Sequence, residues 1–262
     1  MTPARKPTPV RKPARKSSGR FYAALGLVGV AGIAAIAWLA NKPKPEARAV
    51  NSGAVPTKAE PWVLGSPNAP VTIAEFADFE CPACGDFANV TAPDVKKRLV
   101  ETGQARLEFY PFPLEIHKNT WDATLAAACA GDQGKFWEMH DRLFQGQFDW
   151  NAQATSNPRK VIRKYADELK LDGAKYDQCM KSETHRPRIQ ASYNYAVQLG
   201  VGQTPTFAIG GKLYPGSLPY DRVKQLVDEA ARTAPAVAPG TGTATGAPAT
   251  APVRAGTATP SR

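Results

Sequence analysis

Val71-Thr72-Ile73-Ala74-Glu75-Phe76-Ala77-Asp78-Phe79-Glu80-Cys81-Pro82-Ala83-Cys84 runs from an apolar segment into two closely spaced cysteines. Val71 to Ala77 is short and mostly apolar, the pattern of a buried strand. After the cysteines, Phe87, Val90, Val95 and Leu99 are the apolar positions of an expected helix, which ends near Thr102-Gly103 because Gly favours a helix C-terminus. Pro82 pre-sets φ for a first helical turn and needs no donor there. A thiol at a helix start faces unpaired backbone N–H groups and the positive end of the helix dipole, a field that favours thiolate. Cys81 is therefore expected to be the nucleophile and the more exposed thiol. Cys84, one turn inside, is placed to resolve a mixed disulfide. A structural disulfide or half of a zinc site is the competing reading of the same residues.

Working outward, Ala105 to Phe112 sets Leu107 and Phe109 against Arg106 and Glu108 and reads as a second strand stopped by Pro111 and Pro113. Strand–helix–strand at this spacing is a βαβ unit with parallel strands. Helices are expected over 119–130, 135–144, 158–170, 174–182 and 186–199. Strand-like sequence returns at Thr206–Ile209, and Gly210-Gly211 suits a hairpin turn into Lys212-Leu213-Tyr214. Pro219 opens a final helix. The order βαβ, helical block, ββα predicts an α/β thioredoxin-like fold over 61–232, with an inserted helical domain at about 115–199.

The ends of the chain are of another kind. Residues 1–20 are basic and Pro-rich, and Phe21 to Ala40 is a run of 20 residues without a charge. That length matches one transmembrane helix. Seven basic residues precede it, so the expected arrangement is a cytoplasmic arm (1–20), a single-pass anchor (21–40) in the cytoplasmic membrane, a Pro-rich tether (41–60) and an extracytoplasmic domain. A cleaved signal peptide ending near Ala47-Arg48-Ala49 is the alternative, with the same compartment. Residues 233–262 are Ala, Pro, Thr and Gly, a composition that cannot bury a core. The net charge of +10 comes from the ends: residues 58–232 hold 21 basic and 22 acidic side chains. Without a basic patch there, no nucleic-acid partner is expected. Outside the cytoplasm cysteines meet oxidising conditions. With Cys81 and Cys84 paired, Cys129–Cys179 is the natural second bridge, two buried free thiols being the alternative.

Three stretches together carry a family resemblance. Glu75 to Cys84 resembles the active site of DsbA-like thiol–disulfide oxidoreductases, Cys129-Ala130-Gly131-Asp132-Gln133-Gly134-Lys135-Phe136-Trp137 the start of their helical insert, and Gly200-Val201-Gly202-Gln203-Thr204-Pro205-Thr206-Phe207 the loop facing their active site. The resemblance implies a cis bond before Pro205, with the Thr204 backbone meeting the substrate chain. It also implies a buried Glu75 that moves the proton of Cys84, exported proteins as substrates, a membrane partner passing electrons to quinone, and no cofactor beyond the disulfide. Ala83 departs from the best-known oxidases, which carry His there and can stabilise the thiolate through it. This keeps open a reductase or isomerase direction. A metal-binding module and a chaperone-like module are the remaining alternatives. Glu80 is expected to be exposed. His117, His140 and His185 share no metal-ligand spacing with the cysteines, so no metal is expected, and Trp121, Phe136, Trp137 and Phe144 are expected in the insert core.

Overall fold

The computed structural model describes residues 48–49 and 58–233, with Tyr22, Gly29, Gly32 and Ile33. Those four are helical; the rest of the arm, of the expected span and of the Ala/Pro/Thr tail lies outside the described residues. No described helix is long and apolar enough to cross a membrane.

Six strands form one sheet: β1 (Arg48–Ala49), β2 (Trp62–Leu64), β3 (Val71–Ala77), β4 (Ala105–Pro111), β5 (Thr206–Ile209) and β6 (Lys212–Pro215), in the order β1-β6-β5-β3-β4-β2. β3 and β4 run parallel, with Val71 opposite Ala105 and Ala77 opposite Pro111, and every other neighbouring pair is antiparallel. This is the expected mixed α/β thioredoxin-like arrangement. At the β5–β6 turn, Gly210 and Gly211 take φ of +57° and +75°, the left-handed pair that a tight hairpin needs. Two strands were not anticipated. β2 is only three residues long and is held from outside the sheet: the Trp62 ring stacks on Phe136 at 4.6 Å, and the Arg188 guanidinium lies 3.8 Å from its centroid. β1 adds an edge strand within the stretch read as a tether, which is thus not free of the domain throughout.

The helix after the cysteines, α1, is continuous from Pro82 to Val100 but not regular. Pro82–Asp86 and Ala92–Val95 are α-helical, and π-type turns cover Phe87–Thr91 and Lys96–Val100. Pro93 explains the first widening, since it lacks an N–H for the preceding turn. The widened turns shift the helical phase, and Val90, expected on the apolar face, is 77% exposed. Glu101 and Gly103 close the helix, Gly103 at φ +74°.

The inserted block comprises α2 (Thr120–Gly131), α3 (Phe136–Gln145), α4 (Gln147–Trp150), α5 (Pro158–Glu168), α6 (Gly173–Ser182) and the start of α7 (Arg186–Gln198). α2 is buried on nearly every side, as its run of alanines permits. A disulfide from Cys129 to Cys179 ties it to α6. Phe136 and Phe144 lie in this core, with Trp121 and Trp137 partly buried against it. α7 is shared: Ile189 belongs to the insert core, whereas Ala196 packs with Phe76 and Tyr110 on the sheet. The expected boundary at 199 therefore falls at the end of a helix that spans both layers. α8 (Tyr220–Thr233) covers the sheet beside α1 through Val223, Leu226 and Val227.

Candidate active site

Cys81 is the N-cap of α1, at the C-terminal edge of β3, with extended backbone (φ −71°, ψ 122°). Its N–H donates to the Asp78 carbonyl, and its own carbonyl accepts from Cys84 and Gly85 as the first helical turn. Both thiols are unbridged, which is the dithiol state. Cys81 is the more accessible of the two only narrowly, at 8% against 0% for Cys84.

Their proton affinities diverge. Hydrogen bonding from the Cys84 thiol lowers Cys81 to about 6; burial opposes this, and the Thr204 side chain and the N–H groups of Cys84 and Ala83 add to it. Residue 83 therefore contributes through its backbone although alanine has no side-chain donor. Burial pushes Cys84 well up, and its hydrogen bond to Cys81 pushes it further. At neutral pH the pair holds one thiolate, on Cys81.

The Thr204–Pro205 bond is cis, as the resemblance implied. Cys81 Sγ lies 3.5 Å from the Thr204 carbonyl oxygen, so this loop sits directly over the thiol. Behind the pair, Glu75 projects from β3 on the same face as Ile73 and Ala77, the face that α1 covers. It is 1% exposed, and its Oε1 has no hydrogen-bond partner among the described residues. Burial raises it to about 8, Lys96 opposing and Asp141 adding. A carboxyl group with this proton affinity is an acid at neutral pH, able to give or take one proton beside Cys84.

Glu75→Gln keeps the shape and removes the proton. Exchange is expected to slow roughly 10²-fold and to lose the part of its pH dependence centred near 8. Stability changes in the opposite sense. The unfolded carboxyl ionises near 4.5 while the folded one keeps its proton to about 8, so the parent loses about 1.4 kcal/mol per pH unit across that window. Urea unfolding of both proteins as dithiols, at pH 5 and pH 8, checks this, because the comparison cancels the contribution of Cys81. Equal pH slopes for both would contradict it.

Several residues around the pair were not expected there. Glu80 is buried, not exposed: Oε2 accepts from the Asn119 N–H at 2.7 Å and Oε1 from the Ala152 N–H at 2.6 Å. Asp78, also buried, accepts from the N–H groups of Glu80 and Leu114 at 2.7 Å each and pairs with His117 Nδ1 at 2.8 Å. That bond raises the His117 pKa, and the Cys81 thiolate is among the charges acting on it. Gln147 Nε2 donates to the carbonyls of Phe79 (2.7 Å) and Cys81 (3.0 Å). A Cβ at Gly85 would meet the Gln147 side chain at 2.9 Å, so glycine lets the insert close over α1. The sequence signal for Glu80 and Asp78 was their position flanking Phe79 before the cysteines; none pointed to Gln147. His140 is buried, edge-on to Phe109 at 4.8 Å, and bonds Asp141, which also pairs with Lys96. Away from this site, Asp132, Cys179 and His185 come together.

The thioredoxin family profile matches residues 57–229. A Na(+)/H(+) antiporter NhaA 3 of Salinispora tropica is 35% identical over 61% of this chain, but the shared part is 22% of that protein. The chain thus spans about a fifth of that relative, whose name describes a protein mostly outside the shared segment. Disulfide bond formation protein D of Bacillus subtilis is 28% identical over 68% of this chain and 80% of its own length. Among solved structures, alpha-DsbA1 of Wolbachia pipientis superposes with a TM-score of 0.61 at 20% identity, covering 69% of this chain and 95% of that one, a likeness of fold.

Proposed function

The chain belongs to the thioredoxin family, and from that premise we propose that it is a DsbA-like protein disulfide oxidoreductase that donates the Cys81–Cys84 disulfide to exported proteins bearing cysteine thiols. One observation carries the reading: a thiol lowered to about 6 and a thiol raised well above its usual value share one helix turn, with a carboxyl acid behind the second.

The sequence of steps follows from that asymmetry. A substrate thiolate attacks Cys81 Sγ of the oxidised pair, the S–S bond breaks, and Cys84 departs as a thiolate. Cys84 is a poor thiolate in its buried position, and the neutral Glu75 carboxyl supplies its proton. A second substrate thiolate then attacks the substrate sulfur of the mixed disulfide. Cys81 leaves as the stabilised thiolate and needs no proton. The substrate has lost two electrons and the pair has gained them. The Thr204–Pro205 loop lies where the attacking chain must pass, and the Thr204 backbone is our candidate to pair with it. Ile116 and Phe148, 79% and 78% exposed, neighbour His117 and Gln147 and offer apolar surface to an unfolded chain.

The uncharged run Phe21–Ala40 behind a basic arm supports an anchored, extracytoplasmic domain, and a quinone-linked membrane partner is the proposed oxidant that restores the disulfide. Direction is tested by the reduction potential, read by equilibrating the full chain against glutathione and counting trapped thiols by mass. A stabilised Cys81 thiolate favours the reduced form, so the value is expected nearer the about −120 mV of DsbA than the about −270 mV of thioredoxin. A value at or below thioredoxin's would make the protein a reductase.

A further inference from the structure

Three side chains with metal-ligating atoms, Asp132, Cys179 and His185, meet where α2, α6 and α7 converge, and Cys129 is bonded to one of them, Cys179. Cys129 and Asp132 stand three residues apart at the end of α2 and so project to one side of it. Cys179 lies on α6, and His185 is the N-cap of α7. His185 Nε2 is 2.9 Å and Cys179 Sγ is 3.6 Å from the same oxygen, Asp132 Oδ2, and the three donor atoms all fall within 4.8 Å of one another. Around a tetrahedral zinc ion, with Zn–S of about 2.3 Å and Zn–N or Zn–O of about 2.0–2.2 Å, neighbouring donors sit roughly 3.3–3.8 Å apart. Cys179 and Asp132 stand at that separation, and His185, now hydrogen-bonded to Asp132 at 2.9 Å, needs to move outward by only a few tenths of an ångström to reach it. In the oxidised chain the two sulfurs are bonded to each other and withheld.

We infer that reduction of the Cys129–Cys179 disulfide creates a site for one thiophilic divalent cation, held by Cys129, Cys179, His185 and Asp132, with zinc the best match to two thiolates, an imidazole and a carboxylate. The site is independent of the role given to Cys81 and Cys84. An external dithiol breaks the S–S bond, passing two electrons and two protons to the sulfurs and closing to its own disulfide. The cation then displaces one proton from each thiol, releasing two, while His185 binds through Nε2 as the neutral ring with its proton on Nδ1. Asp132 is exposed and gives the ion its approach, while Cys129 is fully buried and closes the far side. The metal takes over the cross-link between α2 and α6, and the bound thiolates are shielded from reoxidation. The proposal departs from the expectation of no metal that the histidine spacings suggest.

The test is a cobalt titration of the full-length C81S/C84S chain, reduced with excess dithiol and freed of it without air. One equivalent of Co²⁺ is expected to give thiolate-to-metal charge transfer and the intense visible bands of a tetrahedral site, bleached by Zn²⁺ and absent before reduction. D132A and H185A, and H185Q which keeps a polar side chain there, are each expected to weaken binding at least tenfold (~1.4 kcal/mol). Failure of the reduced chain to take up one tetrahedral equivalent, whether because the donors do not converge or because α2 and α6 part, overturns the site. Uptake that survives both D132A and H185A overturns it equally.

Discussion

Cys81→Ser is expected to reduce disulfide exchange at least about a thousandfold, to the uncatalysed background, while leaving the fold intact. Serine fits the N-cap of α1 as well as cysteine does, and caps helices better. What it lacks is a thiol that hydrogen bonds, from the Cys84 thiol above all, convert to thiolate near pH 6 against the opposing effect of burial. Cys84→Ser differs in kind. It leaves a reactive Cys81 thiolate without a resolving partner, so its attack on a disulfide-bearing substrate, which releases one substrate thiolate, stops at a mixed disulfide seen as a mass increase on non-reducing gels. Oxidative refolding of reduced ribonuclease, followed by returning activity, reads the first effect. A Cys81→Ser chain that still promotes refolding would move the assignment to a chaperone-like module acting through its apolar surface.

Glu80→Ala is expected to cost about 3–5 kcal/mol of stability and to lower the melting temperature by roughly 10 °C. The carboxylate receives two backbone N–H groups from separate parts of the insert, at 2.7 and 2.6 Å. Charged hydrogen bonds of this kind are worth about 1.5–3 kcal/mol each, and their loss leaves buried donors without acceptors. Asn119 is bound further to the carbonyls of Trp150 and Thr155, so the whole loop before α5 hangs on this contact. Glu80→Gln retains one acceptor oxygen but turns an NH₂ toward the other N–H, and is expected to lose about half as much. Thermal unfolding followed by circular dichroism measures both. A melting temperature for Glu80→Ala within 2 °C or so of the parent would show that water replaces the carboxylate at little cost.

The division between what was legible and what was not follows the range of the interactions. β3, β4 and the helices of the insert are local patterns: period, turn residues and caps lie within a dozen positions, and the expected ends differ from the observed ones by one or two residues at most helices. The two missed strands are too short to have a period, and β2 exists because Phe136 and Arg188 hold Trp62 between them. The phase of α1 departs from simple periodicity for a local reason, Pro93, whose missing N–H widens the helix and turns Val90 outward. Glu80 departs from a general tendency: an acid beside a cysteine at a helix start is usually solvated, and only the N–H groups of Asn119 and Ala152 offset its burial.

By itself the amino-acid sequence determined the order of the longer elements and the turn of helix that carries Cys81 and Cys84, because each is a property of a few adjacent residues, whereas the Glu75 and Thr204-Pro205 positions around it came from the family resemblance. The tertiary structure alone decided the chemistry of those groups. A thiol at about 6, an acid at about 8 and a His185–Asp132 pair against Cys179 depend on burial and on donors from elements far apart in the chain. Electrostatic energies change steeply over a few ångströms in a low-dielectric interior, and no spacing along the chain encodes such distances.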